Sequence, residues 1–186
     1  MRGYFGVGVE GISKSQNAGA LFRTAHAFGA SFVFTVDSHV NPQLLKQSDT
    51  SVAEGHVPLY EFGSSGEMML PKGCQLVGVE LTDDAVELPS FRHPNRAAYI
   101  MGPERGNLSE EMLARCDFAV QIPTKFCINV SLAGALVMYD RTISLGRFAP
   151  RPVRVGGPTE GVPEHVHGAP IWARKEKRRE KERESG

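Results

Sequence analysis

Short apolar runs alternate with amphipathic segments along the first 148 residues of the chain. Runs rich in β-branched and aromatic residues predict buried strands, and they occupy residues 4–9, 30–36, 57–62, 75–81, 97–101 and 118–122. Helical spacing and helix-start residues predict helices over 17–28, from Asn41-Pro42 onward, from Ser109-Glu110-Glu111 onward and over 130–145. Strands that alternate with helices indicate an α/β fold with a mostly parallel sheet flanked by helices.

The pattern changes after Phe148. Residues 150–170 contain five prolines and four glycines with few large apolar side chains, which predicts an extended linker. Residues 174–186 then carry seven Lys or Arg and four Glu, a net charge of +3. We therefore expect a single folded domain over residues 1–148 and a flexible linker with a charged tail over 149–186.

Composition places the chain among ordinary soluble globular domains. It has 186 residues, of which 41% are hydrophobic and 23% charged. No apolar run is long enough to span a membrane, and the first residues lack a signal-peptide pattern, which predicts a cytoplasmic protein. Three widely spaced cysteines predict a reducing compartment and neither a disulfide framework nor a zinc site. The net charge of zero gives no argument for a nucleic-acid partner.

Gly6-x-Gly8-x-x-Gly11 matches the dinucleotide-binding pattern, and Asp37 follows 26 residues later. Its placement argues against that function, because the pattern requires its glycines in a turn that opens directly into a helix. Here Gly6 and Gly8 lie inside the first predicted strand. We expect them to let another backbone approach that strand, and an NAD-dependent oxidoreductase stays as an alternative.

Three polar clusters follow predicted strands or begin predicted helices. They are Asn17-x-Gly19-x-x-x-Arg23, Gly102-Pro103-Glu104-Arg105-Gly106, and Ile122-Pro123 followed by Asn129-Val130-Ser131. Ligands of open α/β sheets bind at the carboxyl ends of the strands. We therefore expect the three clusters to meet in one site.

With these clusters in this order, residues 4–148 resemble the SpoU family of RNA 2′-O-ribose methyltransferases, part of the SPOUT superfamily. The resemblance implies a C-terminal trefoil knot that binds S-adenosyl-L-methionine, a homodimer, a tRNA or rRNA substrate and no metal. One departure is the short segment between Pro123 and Asn129, where Cys127 stands in the place that many relatives give to Ser.

The resemblance also implies roles for individual residues. Arg23 would hold the RNA phosphate, orient the ribose 2′-hydroxyl and stabilise its developing charge, with Asn17, Glu104 and Ser131 in supporting catalytic roles. The implied donor-binding residues are Val79, Glu80, Leu81, Gly102, Glu104, Gly106, Ile122, Ile128 and Asn129. We expect Gly102 and Gly106 to let a ligand approach the backbone. Asn17, Asn129 and Ser131 could equally be helix caps, and Glu104 could pair with Arg23 or with a neighbouring loop.

Two further alternatives stay open beside the oxidoreductase. The same fold can methylate a base nitrogen instead of a ribose hydroxyl, and the chain could be an RNA-binding protein without catalytic activity.

Overall fold

A computed structural model of the chain describes residues 3–40 and 57–146, together with Phe148 and Gly156. The strands in this part are β1 (Tyr4–Glu10), β2 (Phe32–Val36), β3 (Leu59–Phe62), β4 (Gln75–Val79), β5 (Val86–Glu87), β6 (Arg96–Met101) and β7 (Phe118–Gln121). The α-helices in this part are α1 (Ser15–Ala27), α2 (Glu110–Arg115) and α3 (Val130–Leu145), and a 3₁₀ turn spans Leu88–Ser90. The helix predicted from Asn41-Pro42 lies outside the described residues, as do the linker and the charged tail apart from Gly156. The predicted domain boundary stays a prediction.

The strands form one sheet in the order β3-β2-β1-β6-β4-β7-β5. Every strand pair is parallel, so the carboxyl ends of all the strands lie along the same edge. The predicted α/β class with a parallel sheet is therefore confirmed. The trefoil knot stays a prediction.

The glycines of β1 make room for aromatic rings. The rings of Phe32 and Phe34 on β2 occupy the space that a Cβ at Gly6 or Gly8 would need. Both glycines lie well inside β1, and α1 begins only at Ser15, so they do not form the phosphate-binding turn of a dinucleotide site. The expectation of a close approach is correct, but the approaching groups are side chains and not another backbone.

The sheet buries apolar side chains on both of its faces. On one face, Val7 and Tyr99 pack in a cluster with Leu21 of α1 and Val137 of α3. On the other face, a second cluster includes Phe34, Ile100 and Met112, the last from α2. The sheet is therefore packed between helices on both faces.

A buried polar cluster connects α3 to the sheet. His93 Nδ1 lies 2.6 Å from the Tyr99 hydroxyl, and His93 Nε2 lies 2.9 Å from Asp140 Oδ2. Arg141 is 1% exposed and donates to the Tyr99 hydroxyl and to the carbonyl oxygen of Asn95. Burial lowers the pKa of His93, although Asp140 opposes that change. Burial raises the pKa of Tyr99 to about 12, so its hydroxyl stays protonated.

The three cysteines, Cys74, Cys116 and Cys127, are free thiols. None of the described helices is both long enough and apolar enough to cross a membrane. Within residues 3–40 and 57–146, no cluster of three or more His, Cys, Asp or Glu side chains could hold a metal ion.

Candidate active site

A cavity of about 380 Å³ opens at the carboxyl edge of the sheet. Loops after β4, β6 and β7 form its walls together with Lys14 and Asn17 at the start of α1. Its volume falls in the range of small-molecule sites. All the predicted donor-binding residues line it, namely Val79, Glu80, Leu81, Gly102, Glu104, Gly106, Ile122, Ile128 and Asn129.

A chain of hydrogen bonds joins the three polar clusters at this cavity. Asn17 Nδ2 donates to Glu104 Oε1 over 3.1 Å, and Asn129 Nδ2 donates to Asn17 Oδ1 over 3.1 Å. Ser131 then donates to Asn129 Oδ1 from its backbone N–H and from its hydroxyl, over 2.9 and 2.6 Å. Side chains from positions 17, 104, 129 and 131 therefore form one connected unit.

Glu104 caps the N-terminus of α1. The helix has Lys14 as its N-cap residue, which provides no side-chain cap of its own. Instead, the Glu104 carboxylate accepts from the backbone N–H groups of Ser13 and Lys14, over 3.2 and 3.0 Å, and from the Ser13 hydroxyl over 3.0 Å. A carboxylate at a helix N-terminus is stabilised by the unpaired N–H groups and the helix dipole. Of the two predicted possibilities for Glu104, the structure shows the pairing with a neighbouring loop, at Ser13 and Lys14.

The ionisation of Glu104 reflects these contacts. Burial acts to raise its pKa, but the hydrogen bonds from Asn17 and Ser13 together lower the pKa below its ordinary value. The carboxylate is therefore charged at neutral pH.

Glu80 connects two walls of the cavity. Its carboxylate accepts from the backbone N–H of Leu108 over 2.7 Å and from that of Leu81 over 2.9 Å. The loop after β4 is thereby fastened to the loop after β6. A Cβ at Gly102 would lie 2.9 Å from the Leu108 nitrogen and 3.3 Å from Glu80 Oε2.

The two glycines of the second cluster have different functions in the fold. Gly102 is required because the returning backbone of its own loop packs against it. Gly106 has φ +120, a conformation that favours glycine. Both line the cavity, but the structure explains them through the loop itself and not through the ligand contact that we expected.

Three polar residues at the helix starts were predicted as possible helix caps, and the structure shows that one of them is a cap. Asn129 is the N-cap of α3. Asn17 lies inside the first turn of α1 and is not a cap, since Lys14 holds that position. Ser131 does not line the cavity and acts on Asn129.

Like Ser131, Arg23 is a predicted site residue that does not line the cavity. It lies on α1, six residues beyond Asn17, which corresponds to about 9 Å along the helix axis. Its side chain is exposed, and it does not line the cavity of its own chain.

The predicted site residues do not include Ser13 and Lys14, which hold Glu104, or Thr124 and Cys127, which line the cavity. The signal for the first pair was their position directly after β1, at the carboxyl edge where ligands of such sheets bind. Thr124 and Cys127 lie between the two halves of the third cluster, so that cluster already enclosed them.

Comparison with known proteins agrees with this geometry. Residues 5–139 match the model of the SpoU rRNA Methylase family. The chain belongs to the SpoU family. This match spans all three polar clusters, and it confirms the family that the sequence resembled.

SpoU-family relatives share the matched region at modest identity. A tRNA (guanosine(18)-2′-O)-methyltransferase of Mus musculus is 29% identical over 139 residues, which is 70% of this chain and 9% of the relative. An enzyme of the same name from Borreliella burgdorferi is 28% identical over 143 residues, covering 74% of this chain and 65% of the relative. The chain thus spans less than two thirds of the length of either relative.

A solved structure shows the same fold. The SpoU methyltransferase AviRb from Streptomyces viridochromogenes, in complex with AdoMet, superposes with a TM-score of 0.67 at 21% identity. The match covers 79% of this chain and 60% of AviRb.

Proposed function

We propose that this chain transfers a methyl group from S-adenosylmethionine to a ribose 2′-hydroxyl of tRNA or rRNA. The observation that carries the proposal is the hydrogen-bonded unit of Glu104, Asn17, Asn129 and Ser131 at the rim of the 380 Å³ cavity. It unites the three clusters by which the chain resembles the SpoU family. The two tRNA 2′-O-methyltransferase relatives and the AdoMet-bound SpoU methyltransferase support the same activity.

The cavity fits such a donor chemically. Lys14, Glu80 and Glu104 give its lining both signs of charge, which suits a molecule that carries an ammonium, a carboxylate and a sulfonium. Ile122 and Ile128 add apolar wall for the adenine. When bound, the donor supplies an electrophilic methyl group and departs as a neutral thioether, so this chain need not protonate a leaving group.

In the proposed mechanism, this chain holds the acceptor oxygen in line with the methyl group, and the hydroxyl proton leaves to solvent water. We assign the charge stabilisation to Arg23, because a guanidinium acts as a hydrogen-bond donor and cation more readily than as a base. Asn17, Glu104 and Ser131 act as positioning residues: they fix the start of α1, the helix that carries Arg23.

We further propose that the working form is a homodimer, in which Arg23 of one chain faces the cavity of the other. Two observations support this. Arg23 does not line the cavity of its own chain. In addition, α3 presents an exposed apolar stripe at Leu132, Leu136 and Tyr139, which are 60, 43 and 52% exposed, and α3 packs beside α1. Free thiols suit a reducing compartment, so we place the protein in the cytoplasm.

Donor calorimetry and nucleoside analysis test the function together. We expect the wild-type protein to bind S-adenosylmethionine, and we expect cells that lack it to lose one methylated nucleoside from tRNA or rRNA. Arg23→Ala should keep its donor affinity but lose about 100-fold or more in methyl transfer, a typical cost of removing a charge-stabilising donor. Arg92→Ala, at an exposed arginine before β6, is the matched control.

Mass spectrometry distinguishes the alternatives. Fragmentation across the glycosidic bond assigns the methyl group to the sugar or to the base. A base-methylated product would replace the ribose proposal, whereas no heat with the donor and unchanged RNA would contradict methyl transfer altogether.

A further inference from the structure

A second cavity lies beside the candidate donor site and shares Lys14, Pro103 and Glu104 with it. Its other walls include His39 and Arg105, which do not line the donor cavity. These residues come from the loops that follow β1, β2 and β6, so the second cavity opens at the same edge of the sheet. A ligand in the second cavity would therefore be adjacent to a donor in the first.

The lining of the second cavity is predominantly basic. Lys14 and Arg105 carry positive charges, and His39 adds a third nitrogen-bearing side chain. Within residues 3–40 and 57–146, neither Lys14 nor Arg105 takes part in an ion pair. Both side chains are exposed, so they are available to an anion from solution.

Among the described residues of the lining, Glu104 is the only acid, and its oxygens are already occupied. A carboxylate has about four acceptor positions. Glu104 fills them with bonds from the Ser13 and Lys14 backbone, the Ser13 hydroxyl and Asn17 Nδ2. Its charge is also offset by the N-terminus of α1, which it closes. It therefore contributes to the wall between the cavities and leaves the cations of the lining to select the ligand.

We propose that the second cavity binds a backbone phosphate of the RNA next to the ribose being methylated, through Arg105, Lys14 and His39. This inference rests on the proposed function. Arginine pairs with phosphate through two parallel hydrogen bonds, and lysine contributes a compact charge. Every ribose within an RNA strand is flanked by phosphates, so an anion site adjacent to the methyl donor places the target nucleotide without reading its base.

The test uses the full chain and two residues that line the second cavity alone. Arg105→Gln and the double variant Arg105→Gln/His39→Asn are compared with wild type and with Arg92→Gln, a matched change at an exposed arginine before β6. Binding of fluorescently labelled unfractionated tRNA and of rRNA fragments is measured by anisotropy over a series of salt concentrations. S-adenosylmethionine affinity is measured by calorimetry on the same samples.

We expect Arg105→Gln to weaken RNA binding about tenfold near 50 mM salt and hardly at all near 0.5 M. Each lost phosphate contact lowers the slope of log affinity against log salt by about 0.7 to 1. The double variant should weaken binding further at low salt, and the donor affinity of both variants should match wild type. Arg92→Gln should bind RNA as wild type does.

The outcomes separate this inference from the proposed function. If the wild type binds the donor and methylates RNA, but Arg105→Gln keeps its RNA affinity and salt slope, the phosphate site is wrong and the methyltransferase stands. If the wild type shows no donor binding but its RNA affinity depends on Arg105, the methyltransferase is wrong, and the second cavity remains an RNA phosphate site without the link to a methylated ribose. A wild-type protein that binds neither tRNA nor the rRNA fragments would overturn the phosphate site.

A neutral linkage in the RNA gives an independent check once the methylated nucleotide is mapped. Methylphosphonate substitution next to that nucleotide should weaken binding to wild type but add little to the loss already caused by Arg105→Gln, because both changes remove one contact. If the losses of affinity caused by the methylphosphonate and by Arg105→Gln were additive, Arg105 would contact a different phosphate, which would contradict the proposed position.

Discussion

The Glu104 carboxylate connects groups that are far apart in sequence. It accepts hydrogen bonds from Ser13, Lys14 and Asn17, which lie about ninety residues before it. Asn17 in turn accepts from Asn129. The same atoms therefore hold the start of α1, a wall of the candidate donor cavity and the cap of α3.

Replacing Glu104 with Gln should destabilise the protein. Gln keeps the size of the side chain, but it removes the charge at the α1 N-terminus and one acceptor oxygen, so we expect a loss of about 1 kcal/mol in the free energy of unfolding. Urea denaturation at neutral pH measures this loss. Glu87→Gln, at an exposed position on β5, should change stability much less.

The stability difference between wild type and Glu104→Gln should also depend on pH. Because folding lowers the pKa of Glu104 below its ordinary 4.5, its stabilising effect is complete above that pH and is lost as the pH falls through the folded value. The difference between wild type and Glu104→Gln should therefore shrink in acid. Equal stability of the two proteins at neutral pH would contradict the capping role.

At the scale of elements, the sequence predicted those parts whose signals are local. The bounds of α3 are as predicted, because its apolar spacing and the Asn129 cap both lie within or next to the helix. The start of α1 was predicted two residues late, since its cap comes from Glu104 in a distant loop. The two residues of β5 are too few to show a periodicity.

The His93 cluster ties α3 to the rest of the fold in a pH-dependent way. Burial keeps the folded pKa of His93 below its ordinary 6.5, although Asp140 acts against this and Arg141 acts with it. The folded state therefore disfavours the proton that the unfolded chain accepts, and stability should fall as the pH drops below about 6.5, until the folded pKa is reached. Thermal unfolding between pH 8 and pH 5 measures the slope.

A variant without the imidazole isolates this contribution. His93→Gln should be less stable than wild type at pH 8, because the Tyr99 and Asp140 contacts are disturbed, but it should lose less stability on acidification. His39→Gln is the control, since His39 is exposed. A wild-type protein that gains stability as the pH falls from 7 to 6 would show that the Asp140 contact dominates instead.

At the scale of the whole molecule, one chain does not complete the predicted site. The three clusters meet as the sequence predicted, but Arg23 does not line the cavity. A motif identifies residues that function together without saying in which chain they meet. Under the proposed homodimer, Arg23 meets the cavity only through assembly, which the sequence of one chain does not specify.

A charge on the exposed stripe of α3 should break the proposed dimer. We expect Leu136→Glu to be monomeric in sedimentation velocity and to lose methyl transfer, because burying an unpaired carboxylate in an apolar interface is costly. Met69→Glu is the matched control, since Met69 is 79% exposed and lies outside the helices. A Leu136→Glu protein that remains dimeric would remove α3 from the interface.

The shared wall between the two cavities limits how this protein can be redesigned. An engineer who alters Glu104 changes the helix start, the donor cavity and its neighbour at once, so the consequences cannot be tuned separately. His39 and Arg105, in contrast, line a single cavity. Libraries intended to alter the strength of the proposed RNA contact should therefore vary those two positions and keep the carboxylate fixed.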